Sequence, residues 1–236
     1  MNPRDKTGTR INKYLKDKGY STRKGADTLI QKGLVLLNGK KAVLGDIVND
    51  TDTVTVKKFD QSFLYFAYNK PIGIVTTTPT KGEKEIIKSA KFPKGVFPVG
   101  RLDKDSHGLI IMTNDGRVTD RLLSPSHDHE KEYAVKIDAP YKENFLEKMG
   151  NGITIDDYKT KPAKLKRLSK DSFSITLTEG KNRQIRRMCE AFGYHVKDLK
   201  RIRIMNITLG TIKENESRQL SKSEEEEFLK SIGLKK

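Results

Sequence analysis

The stretch Val99-Gly100-Arg101-Leu102-Asp103-Lys104-Asp105-Ser106-His107-Gly108-Leu109-Ile110-Ile111-Met112-Thr113 constrains the fold more than any other part of the chain. Leu109 to Thr113 is a short apolar run, closed by the turn residues Asn114-Asp115-Gly116, and such a run reads as a strand buried inside a sheet. A polar loop carrying Arg101, Asp103 and Asp105 leads straight into it. A carboxylate at the mouth of a buried strand is fixed in place and partly shielded from water. There a charge costs most, and there it is most often kept for chemistry. Taken alone, the residues fit two readings: a structural Arg–Asp pair on a surface loop, or a catalytic carboxylate.

Charge narrows the choice of partner. Lysine and arginine number 47 against 31 acidic residues, a net charge of +16, and this is the footprint of a protein that faces a polyanion. Lysine and arginine are dense from Arg4 to Lys58, and no glutamate occurs before Glu83. No long apolar segment or secretory signal is present, which argues against a membrane partner. The single cysteine, Cys189, excludes an intramolecular disulfide and suits a reducing, cytoplasmic setting.

Periodicity then divides the chain. Ile11, Tyr14 and Leu15 predict a helix over residues 10–18; Ser21 is the expected N-cap of a second helix with Ala26, Leu29 and Ile30 on its apolar stripe. Val35 to Val43, turned at Asn38-Gly39, predicts a hairpin, and Val54 to Val56 a last strand. A boundary is expected near Asp60, giving domains 1–60 and 61–236. Beyond it, strands are expected over 63–68, 109–113, 162–168, 172–178, 194–203 and 205–209. Helices are expected over 117–123 and around Ile185, Met188, Cys189 and Phe192, and Ser221 with Glu224 marks a capping box. His127-Asp128-His129 could suggest a metal, but too few further ligands exist to complete a zinc set, so none is expected.

Four segments carry a resemblance. Gly100-Arg101-Leu102-Asp103-x-Asp105-x-x-Gly108-Leu109 resembles the signature loop of the bacterial ribosomal-RNA pseudouridine synthases, the RsuA/RluB/RluE/RluF group. Lys70-Pro71-x-Gly73, Lys131-Glu132-Tyr133-x-Val135 and Glu179-Gly180-x-Asn182-Arg183-Gln184-Ile185-Arg186-Arg187-Met188 resemble the group's other motifs, in the same order. Residues 10–40 resemble an S4 RNA-binding domain. Asp128-His129-Glu130-Lys131-Glu132-Tyr133 and Arg201-Ile202-Arg203-Ile204-Met205-Asn206 look closest to the RluF branch, whose members act on 23S ribosomal RNA.

The resemblance implies an α+β protein: a small S4-like domain of two helices and a hairpin, then a catalytic domain with a mixed, largely antiparallel central sheet. It implies isomerisation of a uridine to pseudouridine in 23S ribosomal RNA, with transfer RNA as a second candidate substrate, by a cytoplasmic monomer that needs no cofactor. Carried over residue by residue, Asp103 acts at the sugar, Tyr133 stacks on the base and Arg186 pairs with Asp103. Ile185 lines the base pocket, and Arg101 fills the space left by the flipped uridine. Asp105 is the internal rival to Asp103. Arg10, Lys13, Arg23, Lys24, Lys40, Lys41, Arg183 and Arg187 are the candidate RNA-binding cations; a merely solvated basic face is the competing reading for the first six, against which the domain-length resemblance weighs, and an RNA-facing helix without catalytic contact is the reading for Arg183 and Arg187. The competing functions are a non-catalytic S4-type ribosome assembly factor and a glycosidase on another substrate.

Overall fold

The computed structural model describes residues 8–57, 63–77, 83–124 and 128–234. The expected boundary at Asp60 and the histidine at position 127 lie outside them. By backbone contacts the chain divides into two compact units, Met1–Phe63 and Leu64–Lys236.

The first unit comprises β1 (Thr9–Arg10), α1 (Ile11–Asp17), α2 (Arg23–Gln31), β2 (Val35–Leu37), β3 (Lys40–Lys41), β4 (Ile47–Val48) and β5 (Val54–Val56). Its core is the set predicted from helical spacing: Ile11, Leu15, Ala26, Leu29 and Ile30, closed by Val35, Ala42 and Val48. Asn38 and Gly39 both take positive φ, 51° and 80°, as a type I′ hairpin demands. The cap of α2 corrects the expectation by one residue. Thr22 is extended, and its hydroxyl accepts from the Gly25 amide at 3.0 Å, while Ser21 packs where Gly25 has no side chain.

The second unit is built on one sheet. In chain order it contains β6 (Tyr65–Lys70), α3 (Ile86–Ser89), β7 (Phe97–Val99), β8 (His107–Thr113), α4 (Gly116–Leu123), β9 (Lys131–Ile137), α5 (Phe145–Gly150), β10 (Thr154–Ile155), β11 (Tyr158–Lys159), β12 (Lys164–Arg167), β13 (Ser172–Leu177), α6 (Gln184–Glu190), β14 (Val196–Ile204), β15 (Ile207–Thr208), β16 (Ser217–Gln219) and α7 (Lys222–Ser231). The sheet order is β12-β13-β9-β14-β8-β6-β16, with β15 on β14 and β7 on β8. Among the described strands of this sheet, only β14 and β8 run parallel. The mixed, largely antiparallel sheet is therefore present.

β8 is buried along its whole length, as its unbroken apolar run requires of a central strand. Phe145, Met149, Phe173, Ile175, Met188 and Cys189 pack α5 and α6 onto one part of the sheet; Tyr68, Ile86, Leu102, Ile110 and Met112 fill another. Tyr133 packs against both clusters, which places it where they meet. No described helix is long and apolar enough to cross a membrane.

Candidate active site

The loop between β7 and β8 is held from several sides by its own neighbours. The Thr76 hydroxyl donates to the Leu102 carbonyl at 2.8 Å and accepts the Leu102 amide at 3.1 Å. The Gly73 amide donates to the Lys104 carbonyl at 2.8 Å, and the Ser106 amide to the Asp103 carbonyl at 3.1 Å. Lys70, fully buried, donates from Nζ to the Ser106 carbonyl at 2.7 Å. Lys70-Pro71-Ile72-Gly73 is therefore more than a bend, because it grips the loop that carries the aspartates. Burial lowers the Lys70 ammonium to about 8, although the charges of Asp103 and Asp105 pull the other way.

Arg186 corrects the expectation drawn from the motif. Its Nη2 donates to the Asp105 carbonyl at 2.9 Å and to Ser106 Oγ at 3.3 Å, and its Nη1 donates to the Val196 carbonyl at 3.1 Å. Its carboxylate partner is Asp105, 3.4 Å from Nε, and not Asp103. The reason is the turn formed by residues 103–106, which brings Asp105 over the buried start of α6. Asp103 meets Arg183 instead, with Nη1 3.8 Å from Oδ2. The same Nη1 donates to both Asp105 oxygens, at 3.2 and 3.1 Å. Partial burial pushes the Asp105 carboxyl up, but the hydrogen bond from Arg183 and the charges of Arg186 and Arg183 outweigh it, so it lies below the usual carboxylate range.

Arg183 is put there by an unusual backbone. It caps α6 in the left-handed region, φ 47° and ψ 30°, a conformation that costs a side-chain-bearing residue about 1–3 kcal/mol and is concentrated at functional sites. The preceding loop is tied by Gln184, which accepts from the Lys181 amide at 3.0 Å and donates to Glu179 at 2.6 Å. Glu179 in turn accepts from the Tyr158 hydroxyl.

Between this loop and the aspartate loop lies a cleft of about 480 Å³, within the range of small-molecule sites. Its lining brings together Arg101, Asp103, Tyr133, Arg183 and Ile185. Arg186 lies behind the lining, 7% exposed. Arg101 is exposed on the rim. Arg187 is half-buried and paired with Asp156. Arg10, Lys13, Arg23, Lys24, Lys40 and Lys41 all stand exposed on the first unit.

Two cleft residues, Lys131 and Arg201, stand inside segments that carry the resemblance but receive no role from it. Lys131 reads in the sequence as an ordinary basic start to a strand. Arg201 sits in an alternating run, Arg201-Ile202-Arg203-Ile204, whose apolar members would be assigned to the core; instead Arg201 is 4% exposed.

Three kinds of comparison bear on this geometry. The family model for RNA pseudouridylate synthase matches residues 64–191, and the S4 domain model matches residues 9–54. The dual-specificity RNA pseudouridine synthase RluF of Escherichia coli (strain K12) is 44% identical over 232 residues, which cover 96% of this chain and 80% of that protein. The ribosomal large subunit pseudouridine synthase B of Bacillus subtilis (strain 168) is 34% identical over 227 residues, covering 91% of this chain and 93% of that one. A solved structure, the crystal structure of a pseudouridylate synthase, superposes with a TM-score of 0.70 at 30% identity, over 93% of this chain and 99% of that chain.

Proposed function

The chain belongs to the RNA pseudouridylate synthase family, and from that premise we propose that it converts a uridine of large-subunit (23S) ribosomal RNA into pseudouridine without releasing the base. The observation that carries the assignment of residues is the place of Asp103. It is a carboxylate with 36% side-chain exposure, on a loop whose backbone is tied at neighbouring residues, lining a nucleoside-sized cleft with Tyr133 and Ile185.

The isomerisation breaks the N1–C1′ bond and joins C5 of the same uracil to C1′. As the first bond breaks, C1′ becomes cationic, and a carboxylate held beside it stabilises or traps that cation. Asp103 takes this role. Arg183 supplies the positive charge nearest to Asp103, and Arg186 serves by fixing the loop through Asp105 and Ser106. Tyr133 stacks on the uracil and takes the C5 proton late in the reaction. Ile185 forms an apolar wall of the cleft. A paired uridine is out of reach, so the nucleotide is flipped out and Arg101 fills its place. The cations of the S4 unit, with Arg183 and Arg187, hold the RNA backbone. The dual specificity in the name of the Escherichia coli relative supports a second RNA substrate, for which transfer RNA is the candidate. The protein acts as a cytoplasmic monomer.

Tritium release from RNA carrying [5-³H]uridine tests the reading, with 23S ribosomal RNA, transfer RNA and an unrelated RNA as substrates. The wild type is expected to release tritium from ribosomal RNA, and Asp103→Asn to lose about 10³-fold or more while still binding, the scale for a group acting on reacting atoms. Binding without release by the wild type would leave an S4-type RNA-binding factor. Release of free uracil would leave a glycosidase.

A further inference from the structure

The inner end of the cleft holds two cations that the chemistry at Asp103 does not use. Arg201, on β14, donates from Nε to the Leu109 carbonyl at 2.6 Å, and its buried Nη2 has no hydrogen-bond partner among the described residues. Among the described residues the one hydrogen bond of the Lys131 ammonium is to the His129 carbonyl, at 3.3 Å. Among the described residues no carboxylate lies within 4.0 Å of either, although both line the cleft. The sheet register puts them on one face: Arg201 is opposite Tyr133, which is two residues from Lys131 on β9. Lys131 itself is opposite Leu177 on β13 and Ile204 on β14, both of which are cleft-lining apolar residues.

A buried cation without a carboxylate partner, as Arg201 is, is costly, and a half-buried second cation, Lys131, on the same face of the sheet adds to that cost. Burial first, and the charge of Arg201 second, lower the Lys131 ammonium to about 8. Such an arrangement is complementary to negative charge that is absent from the free protein and arises during the reaction.

Resting on the function proposed above, we propose that Lys131 and Arg201 form the anion-stabilising end of the active site and hold the uracil ring as it leaves C1′. When the N1–C1′ bond breaks, its electron pair stays on the uracil and spreads from N1 to the ring carbonyl oxygens. Those oxygens are acceptors for Arg201 Nη2, which has none among the described residues, and for the Lys131 Nζ hydrogens that the His129 carbonyl does not take. C1′ is meanwhile held by Asp103. A ring electron pair then forms the C5–C1′ bond, the C5 proton leaves, and N1 takes a proton from solvent, so atoms and electrons balance. Tethering the freed uracil through its oxygens also keeps it in the cleft while it turns from N1 to C5.

The test compares wild type, Lys131→Met and Lys131→Arg under single-turnover conditions. One RNA carries uridine at the target position and another carries 5-fluorouridine. The readout is disappearance of the parent nucleoside after nuclease digestion. Fluorine withdraws electrons and stabilises the departing base anion, so the fluorinated substrate depends less on protein cations. Lys131→Met is expected to slow the uridine RNA about 100-fold, the cost of one donor to a developing anion, and the 5-fluorouridine RNA by less than about tenfold. RNA affinity and melting temperature are expected to stay near wild type, and Lys131→Arg to recover most of the rate. Equal losses on the two RNAs, or a loss confined to binding, would overturn the uracil assignment. A wild type that leaves the uridine RNA unchanged would overturn the parent reading instead.

Discussion

Asp103 and Asp105 are two residues apart and equally able in principle to serve as the carboxylate of this site; their surroundings separate them. Asp105 is engaged by Arg183 and Arg186 together and belongs to the scaffold, whereas the carboxylate of Asp103 has, among the described residues, only the longer ion-pair contact to Arg183 and lines the cleft. The two asparagine variants should therefore fail differently. Asp105→Asn strips the carboxylate from an arginine that is 7% exposed. A fully buried pair broken this way costs about 3–5 kcal/mol, but Asp105 is 49% exposed, so about 1–2 kcal/mol is expected. Thermal melting should fall accordingly, with partial activity left at low temperature. Asp103→Asn should melt like the wild type and be inactive. If the melting losses are exchanged between the two variants, the assignment of scaffold and reactant is reversed. Arg183 explains why the sequence motif misleads here: spacing identifies two arginines near two aspartates, but only the turn at 103–106 and the left-handed cap of α6 decide which meets which.

Long apolar runs and capping signals are legible in the sequence because each is decided by contacts within a few residues. β8, the hairpin at Asn38-Gly39, and the box at Ser221 and Glu224 all form where expected. β16, the pair β10–β11, and α5 are not legible, since they are short and take their places from partners far along the chain. The meeting of Lys131 and Arg201 in one cleft is not legible for the same reason, because the surroundings of a cation are decided across strands and not along one. The helix α7 offers a test in which local and distant terms add. Glu224 caps it through the Ser221 amide and also accepts two hydrogen bonds from Arg218, both at 2.7 Å. The Arg218 bonds, against partial burial and aided by Ser221, lower its carboxyl to about 2. A lowered carboxylate stabilises in full above its ordinary value of 4.5, and that share is lost as pH falls toward about 2. Glu224→Gln should cost about 1 kcal/mol near neutral pH, a value kept small by solvent screening of a pair that is 37% and 26% exposed. In melting curves run at several pH values, the gap between wild type and variant should close between about pH 4.5 and 2. A gap that persists at the acid end would assign the effect to the cap geometry alone.

A net charge of +16 over two compact units raises the question of what each contributes to holding RNA. In the second unit several cations around the cleft are committed, Arg183 and Arg186 to carboxylates, Arg187 to Asp156 and Lys70 to carbonyls, while Lys131 and Arg201 lack a carboxylate among the described residues. In the first unit Lys40 and Lys41 stand exposed on β3 with no ion pair among the described residues, and Arg10, Lys13, Arg23 and Lys24 are exposed beside helix starts or ends. On the proposed function a division of labour is expected, in which the S4 unit supplies most of the affinity by neutralising phosphates and the paired cations around the cleft mainly hold its geometry. Replacing Lys40 and Lys41 together by glutamine removes two candidate phosphate contacts far in sequence from Asp103. If both touch the RNA, the slope of log affinity against log salt should fall by about 1.4 to 1.8, the release of two counterions. The single-turnover rate at saturating RNA should stay at the wild-type value, because the flipped uridine meets the same cleft once the RNA is bound. Filter binding across a salt series, paired with tritium release at saturation, separates the two quantities. An unchanged slope would mean that this face of the S4 unit is merely solvated. A lowered rate with unchanged affinity would mean that the unit aligns the uridine in the cleft and does not simply retain the RNA.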